Sequence, residues 1–176
     1  MATKPAELFD YGIQTEQSDI RCHVAPGTRS IFVFRTADAI ALLPGSYELR
    51  DAFQNGIKGR TAQGYIIPWK DVPDIRRVRW RTYPWWEKFS QAQSTSEKGA
   101  SAVWVASELL RSGRFPLWVA AAESERLDLQ IRGTDILLWG RWKIQVKCDW
   151  KAGDRDEGGS GNLFFQIAER NPLKRI

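Results

Sequence analysis

The chain has 176 residues, 43% hydrophobic and 27% charged, enough to bury a real core as one domain, or a core with one sizeable appendage, and a composition that argues against disorder. Cys22 and Cys148 lack CxxC spacing, which excludes a zinc knuckle or a disulfide framework, and no apolar run resembles a signal peptide or a membrane span, so a cytoplasmic protein with free thiols and no membrane association is expected. The net charge of +5 mildly favours a polyanionic partner.

In chain order, residues 1–90 read as mainly β. Turn signals at Pro26-Gly27, Pro44-Gly45, Asn55-Gly56 and Pro73 separate short runs at 31–35, 39–43, 65–69 and 76–80, with one short helix allowed within 46–55. In the run at 76–80, Arg77 and Arg79, continued by Arg81, fall on one face of a strand. That spacing suits phosphates and equally suits a solvated edge strand. Trp85 and Trp86 follow, suited to core packing or to stacking on bases. His23, the only histidine, has no partner motif and reads as structural or exposed.

A polar stretch at 90–96 marks a plausible boundary, giving a β-rich N-terminal region (1–90) that contacts DNA or extends the sheet, and a core over 91–176. Ser94 and Glu97 fit a capping box opening a helix at about 95–112, in which Ala100, Val103, Trp104, Leu109 and Leu110 recur at helical spacing and Gly113 ends the run. Strands at 115–121, 134–139 and 142–148, a Gly- and Asp-rich loop at 152–161 and a last strand at 163–167 complete an αβββ, loop, β order. The acidic residues of the loop suit a metal site less well than a solvated turn.

Hydrolysis of a phosphodiester with a divalent ion needs oxygen ligands for a hard cation and a cationic group to orient water. Asp135 opens an apolar strand, and Gln145 and Lys147 share one face of the next, an arrangement costly to bury without purpose. The helix stretch Lys98-Gly99-Ala100-Ser101-Ala102, then Asp135, then Gln145-Val146-Lys147, resembles the PD-(D/E)XK nuclease superfamily, especially Holliday-junction resolvases and certain homing endonucleases. The resemblance covers about a third of the chain. It implies an α/β, restriction-endonuclease-like core with a mixed β-sheet and a Mg²⁺-dependent endodeoxyribonuclease (Mn²⁺ substituting) of resolvase, homing or restriction type. It also implies a DNA substrate and a homodimer or higher oligomer. Asp135, Gln145 and the Val146 carbonyl would then hold the metal, and Lys147 would assist the attacking water.

Two departures from the family pattern matter. Gln145 offers a neutral oxygen where an acid is usual, and Val103 stands where relatives carry the helix glutamate. Asp128 or Glu97 would have to supply that carboxylate, with Asp149 and Glu108 as weaker substitutes. A two-residue Gly140-Arg141 hairpin would pair Asp135 with Val146 and turn it to the wrong face, so the site requires a three-residue connection or a bulge near Asp135 or at Gly140. The alternatives are a catalytically degenerate nuclease fold that binds nucleic acid or protein, and a β-rich interaction protein whose Arg and Trp residues form the partner surface.

Overall fold

The computed structural model describes residues 13–14, 18–43, 45, 47–53, 61–79, 89–91, 95–111, 136–138 and 142–170. The chain is mixed α/β, with two sheets and few helices among these residues. The strands are β1 (Ile13–Gln14), β2 (Ile20–Ala25), β3 (Ser30–Arg35), β4 (Glu48–Phe53), β5 (Thr61–Pro68), β6 (Arg76–Arg79), β7 (Ile136–Leu138), β8 (Trp142–Cys148) and β9 (Asn162–Arg170). The helices are α1 (Thr36–Ile40) and α2 (Thr95–Arg111). One sheet runs β6-β3-β2-β8-β7 and the other β1-β9-β5-β4. Both combine strands from either side of residue 90, so the N-terminal segment extends the sheets of the C-terminal one.

The five-stranded sheet is the middle layer. Ile20, Cys22 and Val24 of β2, Ile31 and Val33 of β3, and Ile144 and Val146 of β8 pack on Ala102, Val105, Ala106 and Leu109 of α2. From the opposite face Phe32 and Phe34 meet Tyr65 and Ile67 of β5 and Leu163, Phe165 and Ile167 of β9. A strand covered on both faces is buried at every position, as β2 is. Its inward polar residues, Arg21 and His23, are thereby trapped between the two sheets. The β5/β9 ladder shifts register at Gln63/Gly64, and a Cβ on Gly64 would lie 2.7 Å from the Phe165 carbonyl, which explains a glycine at that bulge.

Several expectations need correction. The apolar run at 39–43 is not a strand: α1 ends at Ile40 and a turn follows through Leu43. A short apolar run carries no periodicity that separates the two states. The segment allowed as helix within 46–55 is β4, an edge strand whose exposed Glu48 and Arg50 alternate with half-buried Leu49. The buried stripe of α2 is 102/105/106/109, whereas Ala100 is exposed and Val103 and Trp104 are half-buried. The expected strand at 115–121 lies outside the described residues, as do Ser94, Gly113, Trp85 and Trp86.

Candidate functional site

On β8 the side chains alternate. Ile144 and Val146 enter the layer against α2, and Gln145 and Lys147 face the second sheet. β7 pairs with β8 as Ile136↔Ile144, Leu137↔Lys143 and Leu138↔Trp142, so three residues separate the paired ends. This is the register the Asp135 site requires, in place of the two-residue alternative. Asp135 and Asp128 themselves lie outside the described residues.

The other neighbour of β8 is β2, running parallel, with Arg21 opposite Gln145 and His23 opposite Lys147. Four polar side chains therefore share one patch facing β9. Arg21 is fully buried, donates from Nη2 to the Gln166 carbonyl at 2.6 Å and stacks 4.1 Å from the Phe165 ring centre. Lys147 Nζ donates to Gln166 Oε1 at 3.4 Å.

His23 Nδ1 lies 3.0 Å from Asp149 Oδ2, which also accepts the Phe164 amide at 2.8 Å. An ionised carboxylate can only accept, so Nδ1 carries the proton and Nε2 keeps its lone pair. Burial pulls the His23 pKa below its ordinary 6.5, aided by the positive charges of Arg21 and Lys147 and opposed by Asp149. The ring is neutral at pH 7. Gln145 Oε1, His23 Nε2 and Gln166 Nε2 are buried and make no hydrogen bond among the described residues.

These atoms bear on whether a divalent ion suits the patch. Gln145 Oε1 is a hard oxygen aimed into it, which matches one coordination position. The described residues contain no group of three His, Cys, Asp or Glu that could hold a metal, and Arg21 and Lys147 place two cations alongside. Carboxylates would have to come from Asp135 and Asp128. Of the other acids, Glu97 is exposed in the first turn of α2, Glu108 is half-buried on the same helix, and Asp149 is engaged by His23 and Phe164. Val103 packs against the core and its carbonyl accepts the Ser107 hydroxyl at 2.9 Å. A Cβ on Gly99 would meet nothing within 4 Å, and Lys98 Nζ lies 5.1 Å from the Trp150 ring centre.

The arginines of β6 are paired. Arg77 Nη1 contacts Asp154 Oδ2 at 3.2 Å and Glu157 Oε2 at 3.3 Å, and Arg79 pairs with Glu157. Arg81 lies outside the described residues. The acidic loop at 152–161 is thus neither a metal site among the described residues nor a freely solvated turn. Cys22 and Cys148 are free thiols, and burial pushes Cys148 up to about 11, far from thiolate reactivity.

Arg21, His23 and Gln166 were not legible as site residues, and Asp149 was legible only as a weaker stand-in for the helix carboxylate, not as the partner of His23. The alternation Ile20-Arg21-Cys22-His23-Val24 matches Ile144-Gln145-Val146-Lys147 and would have marked β2 as a strand with two polar residues on one face. Their partners stand 126 and 145 residues away, beyond any local pattern.

No family model, characterised protein or solved structure matches this chain. No helix among the described residues is long and apolar enough to cross a membrane.

Proposed function

We propose that this protein is a PD-(D/E)XK-type nuclease, a metal-dependent DNA endonuclease that hydrolyses phosphodiester bonds and works as a homodimer or higher oligomer. The observation that carries this reading is the β7/β8 register, which is the one demanded by a site combining Asp135 with Gln145 and Lys147 on one face. Asp135, Gln145 Oε1 and the Val146 carbonyl would hold Mg²⁺ or Mn²⁺, and Asp128 would add a carboxylate in preference to Glu97, which is exposed on α2 against the opposite face of the sheet. When bound, the ion supplies Lewis-acid polarisation of the scissile phosphate. Lys147, which donates to Gln166 Oε1, would orient the attacking water. Arg21, through the Gln166 carbonyl, and His23, through Asp149, tie β2 to β9 and to the end of β8 beside that face.

A second reading, a degenerate nuclease fold that binds nucleic acid or a protein without cutting, is favoured by one fact. Gln145 is only 6% exposed and neutral, and its immediate cross-strand neighbour is the Arg21 guanidinium. Incubation with single-stranded, duplex and branched DNA in Mg²⁺ or Mn²⁺ separates the two. Cleavage is expected, falling by about two orders of magnitude or more in Lys147→Ala and in Asp135→Ala. Cleavage surviving both substitutions would refute the assigned site, and binding without cleavage under every condition would establish the degenerate reading.

A further inference from the structure

The basic strand β6 already holds anions, and they belong to this chain. Asp154 Oδ1 accepts Trp69 Nε1 at 2.9 Å and lies 3.6 Å from Lys70 Nζ, while Oδ2 contacts Arg77 at 3.2 Å. Glu157 spans Arg77 and Arg79. The Lys70 ammonium and the Arg77 guanidinium lie 5.4 and 5.1 Å from the Trp69 ring centre. Two cations thus gather around one indole and Arg79 joins them through Glu157, with carboxylate oxygens where phosphate oxygens would form the same charge-assisted bonds. The surface is reachable from solvent, since the side chains of Lys70 and Arg79 are 70% and 47% exposed.

The two carboxylates differ in how firmly they are held. Asp154 is anchored by Trp69 as well as by cations. The loop backbone is tied by Gly159 N to Asp154 O at 2.9 Å, Ser160 N to Lys151 O at 2.7 Å and Gly161 N to Gly153 O at 2.6 Å. Among the described residues, the Glu157 carboxylate contacts the two arginines and nothing else. Partly exposed ion pairs of this kind are weak, and a side chain can leave without moving the backbone.

We propose that Glu157 is an internal competitor on a phosphate-binding surface formed by Lys70, Arg77 and Arg79, so that the DNA backbone binds there by displacing its carboxylate while Asp154 stays in place. The inference rests on the DNA-binding reading above and names how that surface is regulated. Displacement costs affinity, and removing the competitor restores it. The same charge change elsewhere in the loop should not.

The test is anisotropy of a short labelled DNA duplex over a salt series without divalent ions, using variants whose thermal melts match the unmodified protein. Glu157→Gln is expected to bind severalfold tighter with the slope of log K against log salt unchanged, because the same phosphates are neutralised once the carboxylate is displaced. Asp156→Asn, exposed in the same loop and equal in charge change, should gain far less affinity. Adding Arg79→Ala to Glu157→Gln should remove the gain and make the slope shallower by about one. If Glu157→Gln behaves as Asp156→Asn does, the competitor role is wrong and DNA binding stands. If neither the unmodified protein nor Glu157→Gln binds DNA, both fall.

Discussion

His23 is the single histidine of the chain, buried between the sheets and bonded to Asp149. Because burial lowers its pKa below 6.5, the folded state resists a proton that the unfolded chain accepts. The stability it contributes is complete above 6.5 and is lost as pH falls from there towards the depressed folded value. Carboxylates titrate lower, so between about pH 6.5 and 5 this one group should dominate the slope. Melting temperature measured across that window should fall in the unmodified protein and stay nearly flat in His23→Asn, whose amide can still donate to Asp149 without titrating. A similar slope in both would show that the ring is not buried and neutral. Lys147 and Gln145 were readable beforehand as two polar residues on one strand face. The residues they meet were not, because His23 and Arg21 reach them only when β2 lies parallel to β8.

The helix α2 shows how an element can be recognised while its face is misread. Its bounds, Thr95–Arg111, nearly match the expected 95–112 because capping and periodicity are local. Its buried stripe is centred on Ala102, Val105, Ala106 and Leu109, with Val103 and Trp104 half-buried at the margin of the same core, because the small Ala102 and Ala106 let the backbone approach the sheet. Ala102→Leu should therefore overpack that contact and cost about 1–3 kcal/mol in urea denaturation, while Ala100→Leu on the exposed side should change stability by less than about 0.5 kcal/mol. Equal effects would contradict the assigned face. The sequence allows a short helix within 46–55, yet Glu48–Phe53 form β4, an edge strand whose exposed Glu48 and Arg50 carry charge that deters further pairing.

At the scale of the whole molecule, the two sheets are stitched from both ends of the chain. β8 lies between β2 and β7, and β9 between β1 and β5. A fragment of residues 91–176 would leave β8 and β9 each without the N-terminal strands that complete their ladders, and one face of Phe165 and Ile167 without the phenylalanines of β3. Such a fragment is expected to show no cooperative thermal or urea transition by circular dichroism, and restoring residues 1–90 in trans should recover one if the strands dock. A cooperative transition in the fragment alone would show that the C-terminal part folds without the N-terminal strands. The parallel β2/β8 pair also supplies what 91–176 lacks, a strand beside β8 on the side away from β7.

By itself the sequence determined the periodic and punctuated parts: the strand bounds of β8, the run of α2, the Gly-rich loop before β9, and the shared face of Gln145 and Lys147. These follow from side-chain spacing and turn chemistry, which act over a few residues. Only the tertiary structure decided which strands adjoin, that β7 meets β8 in the three-residue register, that Arg21 and His23 line the same patch, and that Asp154 and Glu157 occupy the arginines of β6. The β7/β8 register aside, the β2/β8 pairing, the Arg21 and His23 contacts and the arginine–carboxylate pairs join residues 77 to 145 positions apart; such contacts are selected by burial and pairing of charge across layers and leave no local periodicity to read.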